Sequence, residues 1–265
     1  MSIRKKSCAA LSGGALALGM LALAPAANAA PTELTHDEFM AEIENYQNEN
    51  PGDYVGLEQF VESIGGEFKV STNITGPTTA KGAEEAFAKN SDATSTNVIP
   101  AAGSLPSDSF TVAITSFRQG TSPIIDVTGS WDWRNDFAGQ TDPRDVASLG
   151  FNSSCGARSN PRATTQDLNG GVTNTTTLYD SGVTTNSVVW EVDAAVSGFV
   201  NSADQGRVTV TWDTSGCTDT LQAGFIYEGN QGGSLDSISA SFGALSLGYS
   251  GGTLALQKST APLTL

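Results

Sequence analysis

Ile125 to Arg134 reads IDVTGSWDWR, and the reading of this stretch decides the fold. A β-strand sends alternate side chains to opposite faces. Ile125, Val127, Trp131 and Trp133 share one face, with Gly129 between them, while Asp126, Thr128, Ser130, Asp132 and Arg134 share the other. Bulky apolar groups on one side and polar groups on the other predict a strand with one face buried and one wet. A slip of one residue would bury three charges and expose both indoles, so the register is strongly specified. Gly129 interrupts the apolar row and predicts a bulge or a close approach by another backbone.

Period two recurs on both sides of this strand. Upstream, Phe110, Val112 and Ile114 alternate with Thr111, Ala113 and Thr115. Downstream, Val188, Trp190 and Val192 form one set, Val208, Val210 and Trp212 a second, and Leu221, Ala223, Phe225 and Tyr227 a third. Ile238, Ala240 and Phe242 share one parity but Leu245, Leu247 and Tyr249 share the other, a phase slip at Gly243-Ala244 that predicts a bulge. Ser250-Gly251-Gly252 then predicts a hairpin turn into Leu254 and Leu256. Two intervening stretches read differently. Asp142-Pro143 has the form of an N-cap followed by proline and predicts a helical turn or two through Leu149. Asn152 to Asn174, rich in Gly, Asn, Ser and Thr, reads as a long surface loop.

The first part of the chain follows a helical period instead. Thr35-His36-Asp37-Glu38 has the form of a capping box, and Phe39, Met40, Ile43 and Tyr46 follow at helical spacing. Asn50-Pro51-Gly52 breaks the pattern, and Leu57, Phe60, Val61 and Ile64 make a second apolar stripe. Phe68 and Val70 suggest a short strand, and Lys81 to Lys89 a third helix. Residues 90–108 lose all periodicity and read as a linker. The fold class is therefore mainly β: an antiparallel β-sandwich over 109–265, preceded by a small helical region over 30–89.

Residues 1–29 carry Arg4, Lys5 and Lys6, then an apolar run, then Ala27-Asn28-Ala29, the layout of a secretory signal peptide of bacterial type. Cleavage is expected after Ala29 or Ala30. Removal takes away three cations and no acids, so the formal charge goes from −15 to −18. Such a surface disfavours nucleic acid and anionic membrane as partners. Cys155 and Cys217 survive cleavage, and an oxidising compartment predicts a disulfide between them.

Little in the sequence points to catalysis. One histidine, His36, lies in the capping box, where it reads as a surface residue, and no nucleotide-binding fingerprint or zinc-ligand set is present. No cofactor is implied. Asp126, Asp132, Glu191, Asp193 and Asp213 fall on predicted outward faces of strands, so a carboxylate-based hydrolase acting on polysaccharide stays open, with Glu191 and Asp193 as the residues to test. Asp132, Asp136, Asp142 and Asp145 are weak calcium candidates without EF-hand spacing. The four tryptophans invite a sugar-stacking reading, yet all sit on the apolar parity of their strands and are expected in the core. Residues 237–257 hold no charge and suit either two central strands or a hairpin that self-assembles or enters a bilayer. The leading expectation is a secreted, non-catalytic protein that binds an extracellular protein or glycan. A pore-forming or self-assembling hairpin protein and the hydrolase are the alternatives.

Overall fold

The computed structural model describes residues 34–73, 77–91, 105, 107–134, 144–167, 169–179, 186–193, 196–197, 200–201, 203–231, 234–251 and 254–265. The expected signal peptide and its cleavage site, most of the expected linker and the loop 135–143 lie outside these residues.

The architecture is an antiparallel sandwich with a helical layer on one outer face and a hairpin on the other. The strand read first, β4 (Ile124–Trp133), stands inside a six-stranded sheet. Its order is β2 (Pro77–Thr78), β1 (Gly66–Thr72), β3 (Phe110–Gln119), β4, β11 (Gln205–Asp213) and β6 (Ala157–Gln166). The facing sheet runs β15 (Leu254–Ser259), β12 (Gln222–Gln231), β5 (Asp145–Phe151), β8 (Ser187–Val192) and β7 (Thr176–Leu178), with β16 (Leu263–Thr264) also on β12. We call these the first and second sheets. Two short strands, β9 (Val196–Ser197) and β10 (Val200–Asn201), pair with each other.

The core fills the space between the sheets. Trp131, Trp133, Trp190 and Trp212 are all buried there, as their parity predicts. Their rings engage neighbours from across the sandwich: Trp131 stacks on Tyr227 at 4.7 Å, and Trp212 meets Phe151 edge-on at 4.9 Å. A buried indole N–H needs an acceptor. Trp131 donates to the Ala203 carbonyl, Trp133 to the Tyr227 hydroxyl and Trp212 to the Cys155 carbonyl. Gly129 makes no bulge, because the ladder runs unbroken through it on both sides. What comes close is a ring: a Cβ built at Gly129 would lie 2.0 Å from Phe225 of the second sheet.

Four sequence expectations are corrected. Asp145–Phe151 is a strand, β5, with every residue buried; a short apolar run buried on both faces carries no period to separate strand from helix. Within the expected loop 152–174, Ala157–Gln166 forms the edge strand β6. Its Pro161 and polar composition hid it, but an edge strand tolerates proline where the missing N–H faces away from its partner, and the register slips between Thr209 and Thr211 of β11. The phase slip at Gly243 is a turn, not a bulge: β13 (Ser234–Ser241) and β14 (Ala244–Ser250) form a hairpin around Phe242-Gly243, with Gly243 at φ +70. Finally, the chain after Gly251 does not pair back on β14, since β15 joins β12 instead.

The hairpin β13–β14 lies on the outer face of the second sheet. Leu245 is buried with Val146, Val189 and Ile226, and Leu235, Ile238 and Leu247 pack around them. This cover explains why β5 is apolar on both sides.

On the other side lie α1 (His36–Glu49), α2 (Tyr54–Ser63) and α3 (Ala80–Ser91). The capping box forms as expected: Glu38 N–H donates to Thr35 Oγ1, and Thr35 N–H donates to Glu38 Oε2. Strand β1 pairs with β3 along its whole length and so carries the N-terminal region into the first sheet.

Candidate functional site

The face of β4 expected to be wet is roofed by the helices. Asp126, Thr128 and Asp132 are buried, as are Thr115 and Thr209 beside them. A buried carboxylate needs partners, and Asp126 has three. Thr211 Oγ1 donates to its Oδ1 at 2.7 Å, Arg162 Nη2 donates to Oδ1 at 3.1 Å, and His36 Nε2 lies 3.0 Å from Oδ2. His36 therefore docks the first turn of α1 onto the sheet. Its hydrogen bond to Asp126 raises its pKa above the usual 6.5, against the opposing effect of partial burial. Arg162 also donates through Nε to Glu44 of α1. The helix is thus fastened by a polar network as well as by the buried Phe39, Met40 and Ile43.

Towards the other end of α1 the roof lifts and leaves a cavity of about 50 Å³ beneath the turn between α1 and α2. Asn50 and Asp53 overhang it, and Ser130, Thr164, Gln166 and Arg207 line its floor from β4, β6 and β11. Three neighbouring strands align here, because Arg207 lies opposite both Ser130 and Thr164. Gly206 beside it lets the Trp131 ring pass close underneath, since a Cβ there would sit 2.1 Å from the indole. The Asp53 carboxylate caps α2 through Gly56 N–H and accepts the Tyr46 hydroxyl at 2.7 Å. Burial, first, and Asp53, second, push the Tyr46 pKa up to about 12. The Arg207 guanidinium is largely withdrawn from water, which lowers its pKa, and its Nη2 donates to Asn48 Oδ1. The lining therefore joins one largely buried cation, amides and hydroxyls to the Asp53 carboxylate and to an apolar wall of Tyr54, Leu57, Phe87 and Trp131.

The carboxylates singled out from the sequence do not form one set. Asp126, Asp132 and Asp213 belong to the first sheet, the first two under the helices and Asp213 at the end of β11, where it accepts Ser215 N–H. Glu191 lies on β8 of the second sheet, paired with Arg144, and Asp193 just follows that strand. Of the calcium candidates, Asp136 and Asp142 lie outside the described residues. Asp145 accepts Asn230 N–H and the Tyr227 hydroxyl, so both of its oxygens are engaged. Burial pushes its pKa up to about 7 against those two bonds. Among the described residues no group of three or more His, Cys, Asp or Glu side chains gathers as for a metal. Cys155 and Cys217 stand in disulfide linkage, with Cα atoms 5.7 Å apart.

Sequence reasoning missed Arg162, Arg207, Glu44 and Asn48. The parity of Val208, Val210 and Trp212 already put Arg207 on the face of Asp126. What it could not show was a helix lying over that face.

No protein-family model matches the chain, and no curated protein matches it. One solved structure that overlaps it is described as "pH-induced modulation of Streptococcus parasanguinis adhesion by Fap1 fimbriae". The overlap covers 56% of this chain and 78% of that one at 9% identity, with a TM-score of 0.27. Among the described residues no helix is long and apolar enough to cross a membrane.

Proposed function

We propose that this is a secreted, non-catalytic binding protein whose ligand contacts the pocket under the α1–α2 turn. The observation that carries the reading is the lining of that pocket: a half-buried arginine with amide and hydroxyl groups beside it, the Asp53 carboxylate, and an apolar wall that includes Tyr54 and Phe87. Such a set offers recognition through hydrogen bonds and charge. The dispersal of the candidate carboxylates over two sheets favours binding over hydrolysis. Secretion is supported by the disulfide and by the excess of acids over bases.

The test is a screen of the secreted chain on arrays of extracellular glycans and proteins, run beside Thr164→Trp, which fills the pocket from an edge strand. A binder lost in the variant, with the circular dichroism spectrum unchanged, is the expected result. No binder, or binding indifferent to Thr164→Trp, would remove the pocket from the account.

A second reading keeps some support. The hairpin β13–β14 pairs with no other strand among the described residues, and it exposes Ser237, Ser239 and Ser246. A free edge with few charges favours pairing with another copy. Light scattering and liposome leakage address it directly: a monomer that leaves vesicles intact ends the self-assembly and pore readings together.

A further inference from the structure

We propose that the pocket under the α1–α2 turn is a carboxylate-binding site anchored by Arg207; this deepens the binding reading above and rests on it. The first argument is charge. Arg162 and Arg207 both rise from the first sheet towards α1, but the carboxylates there are unequally shared. Glu44 and Asp126 are both within ion-pair distance of Arg162. Among the described residues no carboxylate is within 4.0 Å of Arg207, whose hydrogen bond goes to the neutral Asn48. A guanidinium has five N–H donors in a flat fork. Taking such a group from water costs free energy unless an acceptor of opposite charge replaces the water.

The second argument is shape and surroundings. Ser130 and Thr164 flank Arg207 across the two ladders, and Gln166 and Asn50 also line the pocket, their amide nitrogens already donating to the Asn48 and Tyr46 carbonyls and each keeping one further N–H. The cavity of about 50 Å³ has room for a carboxylate and the one or two carbons that carry it, and it opens to solvent, so the rest of a larger ligand can lie outside. The third is the valence of the anion. The Asp53 carboxylate also lines the pocket, and the field of Glu44 reaches Arg207. These acids already offset much of the Arg207 charge, so each negative charge on a ligand is penalised and a monoanion is favoured over a dianion such as sulfate. The flat guanidinium matches a carboxylate edge-on through two parallel hydrogen bonds.

The carboxylate can belong to a small free acid or to the end of a larger molecule, such as a peptide C-terminus. The experiment separates the two. Amide spectra of the ¹⁵N-labelled secreted chain are followed at constant ionic strength during titration with acetate, with neutral acetamide, and with trialanine bearing a free or an amidated C-terminus. The expected result is saturable shifts at residues 48–54 and 204–208 with acetate or the free-acid peptide, and none with the two neutral compounds. A tighter peptide indicates a terminal carboxylate; acetate alone indicates a small acid. Arg207→Met should weaken binding by about tenfold or more. Thr164→Trp, which spares the cation, should abolish it, so the proposal stays testable if Arg207→Met fails to fold. Equal responses to acetate and acetamide, no response to any acid, or full binding by a folded Arg207→Met would overturn the proposal. An array ligand found despite such a result leaves the broader binding reading in place and removes only the carboxylate.

Discussion

At the scale of single residues, two positions show how tightly the interior is specified. Gly129 was legible as an oddity in an apolar row, but what it accommodates, the Phe225 ring, lies on a strand nearly a hundred residues later in the sequence and had no local signal. Gly129→Val should cost about 3 kcal/mol by overpacking, measured by urea denaturation. Pairing it with Phe225→Leu should recover part of that loss; a purely additive double variant would contradict the contact. Asp204 shows the other extreme. Its side chain is buried, its Oδ2 has no hydrogen-bond partner among the described residues, and burial pushes its pKa up to about 7, from an ordinary value of 3.8. A carboxyl whose folded pKa is raised favours folding in its protonated form. That stability is full below about pH 4 and is lost as pH rises towards 7. Asp204→Asn should therefore raise the melting temperature at pH 8 and leave it nearly unchanged at pH 4.5. An equal effect at both pH values would show that Asp204 is not held neutral by the fold.

At the scale of elements, legibility followed the environment of each strand. Strands with one buried and one polar face, such as β4 and β11, declared themselves through period two. Two others did not. Strand β5 is covered on both faces, by the core and by Leu245 of the hairpin, so its sequence lost the alternation. Strand β6 is an exposed edge whose Arg158 and Arg162 were chosen for contacts with other elements: Arg158 lies over the Phe151 and Trp212 rings, and Arg162 holds α1. The disulfide ties the segment before β6 to the segment after β11, two positions 62 residues apart in sequence. Closing a loop of that length is worth about 4 kcal/mol in the chain-entropy model. Reduction should lower the melting temperature by several degrees without changing the strand content of the circular dichroism spectrum. Loss of that spectrum on reduction at 25 °C would mean the bridge holds the fold and does not merely stiffen it.

At the scale of the whole molecule, the sandwich was legible from parity and the helices from their period, but their relation was not. A polar face and a histidine in a capping box both read as solvent-facing, because pattern records only that a side chain is polar. Here polar groups meet polar groups: His36, Glu44 and Asn48 from α1 against Asp126, Arg162 and Arg207 from the sheet. That layer shapes the proposed binding pocket. It also adds to the pH response. His36 has a raised folded pKa, so its contribution is full below the unfolded value of 6.5 and is lost as pH rises through the folded one. Together with Asp145 and Asp204, whose pKa values burial raises to about 7, it makes the protein more stable in mild acid than at pH 8. Because the chain has a single histidine, one imidazole signal reports on the roof unambiguously. The direct test is a proton NMR titration of His36 in the untagged chain, compared with Asp126→Asn. The account predicts a pKa above 6.5 that falls towards the free value in the variant; an ordinary titration indifferent to Asp126 would show that the helices do not lie on this face of the sheet.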